Sequence, residues 1–246
     1  MKLSLPPIPP EPPSLRARLV NAVLRFLTAV LCRIDQEQLC KVPRRGPLIL
    51  IGNHVNFLEV PLLIARLQDR PVTGFSKVET WHNPFKRFLF NTWRGIPIHR
   101  GEVDNTAFQL ALETIKAGYI FAIAPEGTRS YTGKLQKGLP GVVLLALRSG
   151  APLLPVAYHG GEKFWENLKR LKRTDFHIAV GNPFYVKADG VTLSRDVRQQ
   201  ITDEIMYQIA ALLPPQYRGV YADLSNATQE YLYFEPGVES NLKNSQ

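Results

Sequence analysis

The sequence predicts an α/β fold, a mixed and largely parallel sheet flanked by helices, with an amphipathic helix in front of it. Three observations point that way. From residue 47 onward, short apolar runs alternate with helical stretches. Four of those runs end in turns rich in Gly or polar residues, as strand ends in such folds do. The composition is globular, with 45% apolar and 21% charged residues, and 246 residues suit one large domain or one domain with a short appendage.

The elements follow in order. Residues 1–13 form a proline-rich, extended arm. Ser14 is read as the N-cap of a helix running to about Ile34, within an N-terminal segment spanning 14–40. Its apolar residues (Leu15, Leu19, Val23, Phe26, Leu27 and Val30 among them) cover too wide a face for a simple surface helix, and arginines 16, 18, 25 and 33 interrupt it. Two readings stand: a helix buried against the main domain, or a monotopic helix in a membrane interface with its arginines near lipid phosphates. The main domain spans 41–224. Leu48–Ile51 reads as a buried strand, 57–68 as a helix, and 72–75 as a strand. Residues 84–93 read as a helix with Pro84 in its first turn, and 96–98 as a short extended piece. Asp104 caps a helix to Ala117, which Gly118 ends. Strands at 119–124, 153–158 and 176–180, a helix at 141–149 and a long helix at 193–213 complete it. Residues 225–246 are polar and are expected to form a flexible tail.

Charge and cysteine content narrow the function. Thirty Lys and Arg against 21 Asp and Glu leave a net charge of +9, which calls for an anionic partner: nucleic acid, an acidic membrane face or a phosphorylated substrate. No stacking platform or groove-reading helix accompanies the charge, so nucleic acid is not expected. Two cysteines, Cys32 and Cys40, exclude a disulfide scaffold and a Cys-rich zinc module, and the five histidines lack metal-ligand spacing. No metal or other cofactor is expected. No stretch reaches the ~18 apolar residues of a spanning helix. One Lys followed by prolines is not expected to make a secretory leader.

The chemistry gathers after the strands. Gly52-Asn53-His54-Val55-Asn56-Phe57-Leu58-Glu59 sets a histidine five residues before a carboxylate. On a regular helix that spacing points the two apart, so His54 must lie in the loop and Glu59 in the first helical turn. Asn56 as N-cap would place Glu59 at N3. Glu59 then has two readings: a structural cap, or the orienting partner of a general base. After strand 119–124 comes Pro125-Glu126-Gly127-Thr128-Arg129-Ser130. Gly127 permits a tight turn with exposed amides, the hydroxyls and the Arg129 fork suit phosphate, and Lys134 and Lys137 follow. A solvated basic loop is the alternative. His99-Arg100-Gly101 and His159-Gly160-Gly161 end two further apolar runs. Lys163, Lys169, Arg170, Lys172 and Arg173 suit either docking to anionic lipid or an acidic carrier, or a solvated helix face; Phe164 and Trp165 beside them suit an interface or the core.

In this order the segments resemble the glycerolipid acyltransferases, in particular the 1-acylglycerol-3-phosphate O-acyltransferase family, over roughly residues 20–220. The family's Asn-His-x-Ser-x-x-Asp block is Asn53-His54-Val55-Asn56-Phe57-Leu58-Glu59 here. Its second block, apolar-Asp-Arg, is Ile98-His99-Arg100. Phe-Pro-Glu-Gly-Thr-Arg-Ser matches Ala124 to Ser130 except at its first position. A Lys-Gly pair is seen as Lys137-Gly138, and a Pro-Val element as Pro155-Val156. Two departures stand out: Glu59 for Asp, which adds a methylene of about 1.5 Å, and His99 for the second block's acid.

The resemblance implies acyl transfer from an acyl-CoA or acyl carrier protein thioester to the free hydroxyl of a lysophospholipid, foremost lysophosphatidic acid. Another lysophospholipid, glycerol-3-phosphate, or a non-catalytic lipid-binding role are its alternatives. His54 would be the base and Glu59 its orienting partner. Arg100, Gly101, Glu126, Gly127, Thr128, Arg129 and Lys137 would shape the phosphate site, with Glu126 paired to Arg129 or Arg100. The partners implied are the two substrates, a membrane surface at its cytoplasmic face, and an acyl carrier protein.

Overall fold

The computed structural model describes residues 14–67, 70–99, 101 and 104–245. The predicted arm, residues 1–13, lies outside them. In chain order come α1 (Leu15–Leu31), β1 (Cys32–Asp35), β2 (Leu48–Gly52), α2 (Glu59–Arg66), β3 (Val72–Lys77), α3 (Pro84–Thr92), β4 (Ile96–Ile98) and α4 (Asn105–Lys116). Then follow β5 (Ile120–Ile123), α5 (Gly141–Ser149), β6 (Leu153–His159), α6 (Phe164–Lys169), β7 (Thr174–Val180), β8 (Tyr185–Val186), α7 (Arg195–Ala210) and β9 (Leu232–Tyr233).

Seven strands make one sheet in the order β1-β7-β6-β2-β5-β3-β4. The five-strand stretch from β6 to β4 is parallel throughout, β7 runs antiparallel to β6, and β1 runs parallel to β7. Parallel central strands are covered on both faces, which is why β2 is buried along its whole length and reads in the sequence as an unbroken apolar run. One face packs against Ala111 and Ile115 of α4, Val142 and Leu145 of α5, and Ile205 and Ile209 of α7. The other packs against Leu62 and Leu63 of α2 and Phe164 of α6. Because β2 and β5 are parallel neighbours, with Ile51 opposite Ile123, the segments that follow them leave the sheet side by side. This is where an α/β sheet gathers its chemistry.

Three departures from the sequence reading have physical causes. The first helix ends at Leu31, and the next four residues form β1, which pairs with β7 through Cys32 opposite Thr174. Only Cys32 in this strand is buried, so it carries no apolar run to announce it. Its place in the main sheet also moves the domain boundary ahead of residue 41.

The second departure is the tail expected to be loose. Buried Glu204 of α7 accepts from the Thr228 hydroxyl (2.7 Å) and from the amides of Glu230 and Tyr231 (3.0 Å each). Leu232 and Tyr233 pair with β8, and buried Asn241 hydrogen-bonds Gln208 and Asn182. A polar tail therefore packs because polar side chains on α7 receive it.

The third concerns α1. It buries its small and polar side, Ala17, Asn21 and Thr28, and leaves Leu15, Leu19, Val23, Phe26, Leu27 and Val30 exposed. Polar contacts hold that inward side: Trp93 Nε1 donates to Asn21 Oδ1 (3.1 Å), and Arg66 donates to Thr28 Oγ1 from both terminal nitrogens (3.2 Å each). The reading of α1 as a helix with its apolar face buried in the main domain is thereby corrected.

Asp104 caps α4 as predicted, its Oδ1 accepting from the Ala107 amide at 2.9 Å. That bond, aided by contacts from His99, holds its carboxyl below the usual range. Asp104→Ala is expected to cost about 1 kcal/mol at neutral pH. A depressed carboxylate contributes stability above its unfolded-state value and loses it as pH falls through the folded-state value. The difference between wild type and variant should therefore shrink in urea unfolding curves taken from pH 7 downward.

Candidate active site

Gly52, the last residue of β2, sits so close to β6 that a Cβ there would lie 2.9 Å from the Val156 carbonyl oxygen. Asn53 then continues the pairing with its side chain: Nδ2 donates to the Tyr158 carbonyl (2.8 Å) and Oδ1 accepts the Tyr158 amide (2.7 Å). This pins the loop that follows. His54 is the next residue, and its imidazole Nδ1 lies 3.1 Å from Glu59 Oε2. The other oxygen of Glu59 accepts the Asn56 amide at 2.9 Å. The Asn56 side chain in turn accepts from the Leu58 amide (2.7 Å) and donates to the Gly161 carbonyl.

One Glu59 oxygen thus closes the turn at the start of α2 while the other faces the imidazole. The helix begins at Glu59 itself, two residues later than predicted, because Asn56 to Leu58 are spent on this turn. The extra methylene of glutamate lets one carboxylate span both partners. The pair is largely enclosed, with 5% of the Glu59 side chain and 19% of the His54 side chain exposed. A carboxylate beside Nδ1 favours the Nδ1–H tautomer of a neutral ring, whose lone pair is then on Nε2.

The loop is stitched to the turn after β5. The His54 amide donates to Glu126 Oε1 (2.8 Å), the Ser130 amide donates to the His54 carbonyl (2.8 Å), and the Tyr131 amide donates to the Val55 carbonyl (3.2 Å). The second Glu126 oxygen accepts the Gln136 amide at 2.9 Å. Burial pushes the Glu126 carboxyl up, against the pull of these two amides. The expected pairing of Glu126 with Arg129 is corrected: its two oxygens accept from backbone amides, the partners a buried carboxylate needs; Arg100, the other arginine expected there, lies outside the described residues.

Residues 33–159, just over half of the chain, match the family model described as Acyltransferase. The chain belongs to the acyltransferase family. It is 26% identical to a 1-acyl-sn-glycerol-3-phosphate acyltransferase of Pseudomonas aeruginosa, over 78% of this chain and 76% of that protein. A lyso-ornithine lipid O-acyltransferase of the same organism is 27% identical, over 76% of this chain and 83% of its own length. The crystal structure of the 1-acyl-sn-glycerophosphate (LPA) acyltransferase PlsC from Thermotoga maritima shares the fold, with a TM-score of 0.57 and 20% identity over 77% of this chain and 76% of that one.

The remaining predicted site residues of this acyltransferase divide. Gly127 adopts φ +66°, the left-handed region that favours glycine, and its amide donates to the Ala124 carbonyl at 3.0 Å. Thr128 and Arg129 are exposed beside it, and neither side chain hydrogen-bonds or ion-pairs with a described residue. Arg129 is therefore a cation left available next to the dyad. Gly101 makes a left-handed turn after β4, at φ +86°. Arg100 lies outside the described residues. His99, its neighbour, is paired with Asp104 at 3.3 Å.

Lys137 goes elsewhere. It lines a cleft of about 610 Å³ against α7, shared with Asp196, Asp203, Glu204 and Tyr207. Three carboxyl-bearing residues share that cleft with it. Two neighbours in sequence, Gln136 and Gly138, explain the turn: the first is bound to Glu126, and the second receives Gln199 and donates to Tyr221. Among the described residues, no three His, Cys, Asp or Glu side chains cluster to hold a metal ion.

Proposed function

We propose that this acyltransferase moves a fatty acyl group from a thioester of coenzyme A or acyl carrier protein to the free hydroxyl of a lysophospholipid, foremost converting lysophosphatidic acid to phosphatidic acid. The observation that carries the reading is the 3.1 Å contact of His54 Nδ1 with Glu59, in a loop bonded directly to the Glu126–Ser130 turn. His54 Nε2 takes the hydroxyl proton as the oxygen attacks the thioester carbonyl carbon. The tetrahedral adduct collapses, the C–S bond breaks, and the proton passes from His54 to the departing thiolate. The products are the new ester and a free thiol. Glu59 stabilises the imidazolium formed between the two transfers. Arg129, Thr128 and the turn at Gly127 receive the acceptor's phosphate, with Arg100 and Gly101 as further ligands. No cofactor is needed beyond the thioester.

We further propose that the protein works as a peripheral or monotopic enzyme on the cytoplasmic face of a membrane. The outward apolar stripe of α1 supports this: six large apolar side chains exposed on one helix are unusual unless something covers them. No helix among the described residues is long and apolar enough to cross a membrane. The likeness to a lyso-ornithine lipid O-acyltransferase favours one second acceptor class, a lysolipid with an amino acid headgroup. Thiol release should be followed with acyl-CoA and acyl carrier protein thioesters across a panel of lysophosphatidic acid, lyso-ornithine lipid, other lysophospholipids and glycerol-3-phosphate. Turnover is expected to be greatest with lysophosphatidic acid. Preference for lyso-ornithine lipid moves the assignment to that acceptor, and no turnover with any pair overturns it.

A further inference from the structure

We infer that the segment 163–172, beside the catalytic dyad, is a lipid-insertion point that seats the mouth of the site on an anionic bilayer. The inference rests on the lysolipid reading above and adds a surface to it.

The segment splits its two aromatic residues. Phe164 is buried in the core below the sheet, while Trp165 is 58% exposed. Trp165 packs against Phe57 at 5.5 Å, and Phe57 meets Phe164 edge-on at 5.6 Å. Phe57 lies between Asn56 and Glu59, inside the loop that holds the dyad. The aromatic group therefore joins α6 to the segment carrying His54 and Glu59. Beyond α6 the chain closes on itself: the Leu171 amide donates to the Leu168 carbonyl (3.1 Å) and the Lys172 amide to the Asn167 carbonyl (2.8 Å). That closure puts Leu171 in the left-handed region at φ +53°, the position that glycine usually takes. Leu171 is also 94% exposed. A leucine there gains no packing to offset its backbone strain, so the fold alone does not account for it.

The surrounding charge identifies the occupant. Lys163, Lys169, Arg170 and Lys172 are all exposed. Of the acids nearby, Glu166 pairs with Arg170 (3.1 Å), and Glu162 is turned inward, one oxygen accepting from the Tyr217 hydroxyl (2.8 Å) and the other buried without a hydrogen-bond partner. Lys163, Lys169 and Lys172 have no ion-pair partner among the described residues. A protruding Trp and Leu rimmed by lysines fit acyl chains below anionic headgroups. An acidic carrier protein would use the lysines but leave the two apolar tips unexplained. The surface also continues that of α1, since Arg173 donates to the carbonyls of Ala29 and Cys32 (2.6 Å each), fastening this turn to the end of that helix.

Tryptophan emission tests the inference without requiring turnover. Wild type and Trp165→Phe are mixed with vesicles of phosphatidylglycerol and phosphatidylcholine carrying brominated acyl chains. The bromines are expected to quench the wild-type emission strongly, and the quenched component to be missing from the variant. Leu171→Asp should weaken vesicle partitioning ~10-fold at an unchanged melting temperature. Lys169→Glu with Lys172→Glu should weaken binding to phosphatidylglycerol vesicles more than to phosphatidylcholine vesicles. Equal quenching of wild type and Trp165→Phe overturns the inference. So does a charge reversal that leaves vesicle binding intact and slows only turnover of acyl carrier protein thioesters. A protein that inserts through Trp165 but acylates no lysolipid sustains this inference while overturning the acceptor assignment.

Discussion

His54→Gln is expected to lower kcat about 10³-fold, within the ~10²–10⁴-fold that a positioned general base supplies, and to leave stability nearly unchanged. Glutamine retains an N–H that reaches toward Glu59 Oε2, so the buried carboxylate keeps a partner. It has no basic nitrogen. The backbone of residue 54 is held independently of its side chain, through Glu126 on the amide and Ser130 on the carbonyl. His54→Ala makes the contrast. It also removes the base, but it strands a carboxylate oxygen that is almost wholly enclosed, at a cost of ~1–3 kcal/mol. Thiol release and urea unfolding, measured on both variants, separate the two effects. A glutamine variant turning over near the wild-type rate would sink the base role of His54.

How the site could be read from the sequence depended on the kind of contact. Strands β2 and β5 were legible because both are covered on two faces and so are apolar throughout; helix α5 spans the residues 141–149 read as helical from the sequence. The dyad was legible as a spacing, with its two readings left open. A carboxylate has two oxygens, and nothing in a sequence says that each takes a different task. The contacts that fix the loop were not legible. Asn53 to Tyr158 and Asn56 to Gly161 each join residues 105 positions apart, and an asparagine after a strand looks like any turn residue. Glu126 misled because charge reasoning looks for a cation, whereas a buried carboxylate is satisfied equally by two amides. The cleft that Lys137 shares with α7 was not legible either, because it joins residues about sixty positions apart along the chain. The aromatic contact of Phe57 with Trp165 was hidden for the same reason as the asparagine bonds.

Glu59→Gln separates capping from catalysis at one position. The amide has the carboxylate's shape but only one acceptor oxygen, and two partners compete for it. If that oxygen stays on the Asn56 amide, the new NH₂ faces His54 Nδ1 and donates to it. Nδ1 must then be the unprotonated nitrogen, Nε2 carries the proton, and the ring has no lone pair facing the substrate. If the amide flips, its oxygen serves the ring, but NH₂ meets the Asn56 N–H, two donors facing each other in a buried turn, at ~1–3 kcal/mol. The first arrangement is the cheaper, so the variant is expected to fold with almost wild-type stability and to lose ~10²–10⁴-fold in kcat. Glu59→Asp should fall between. Its carboxylate is shorter by about 1.5 Å and cannot reach both partners without movement of the loop, so some turnover and some stability are both lost. Were Glu59 only a cap, the order would reverse: Glu59→Gln would keep its rate and Glu59→Asp would show the larger defect. Measuring kcat and the urea midpoint for the two variants side by side therefore decides whether the carboxylate belongs to the chemistry or to the helix.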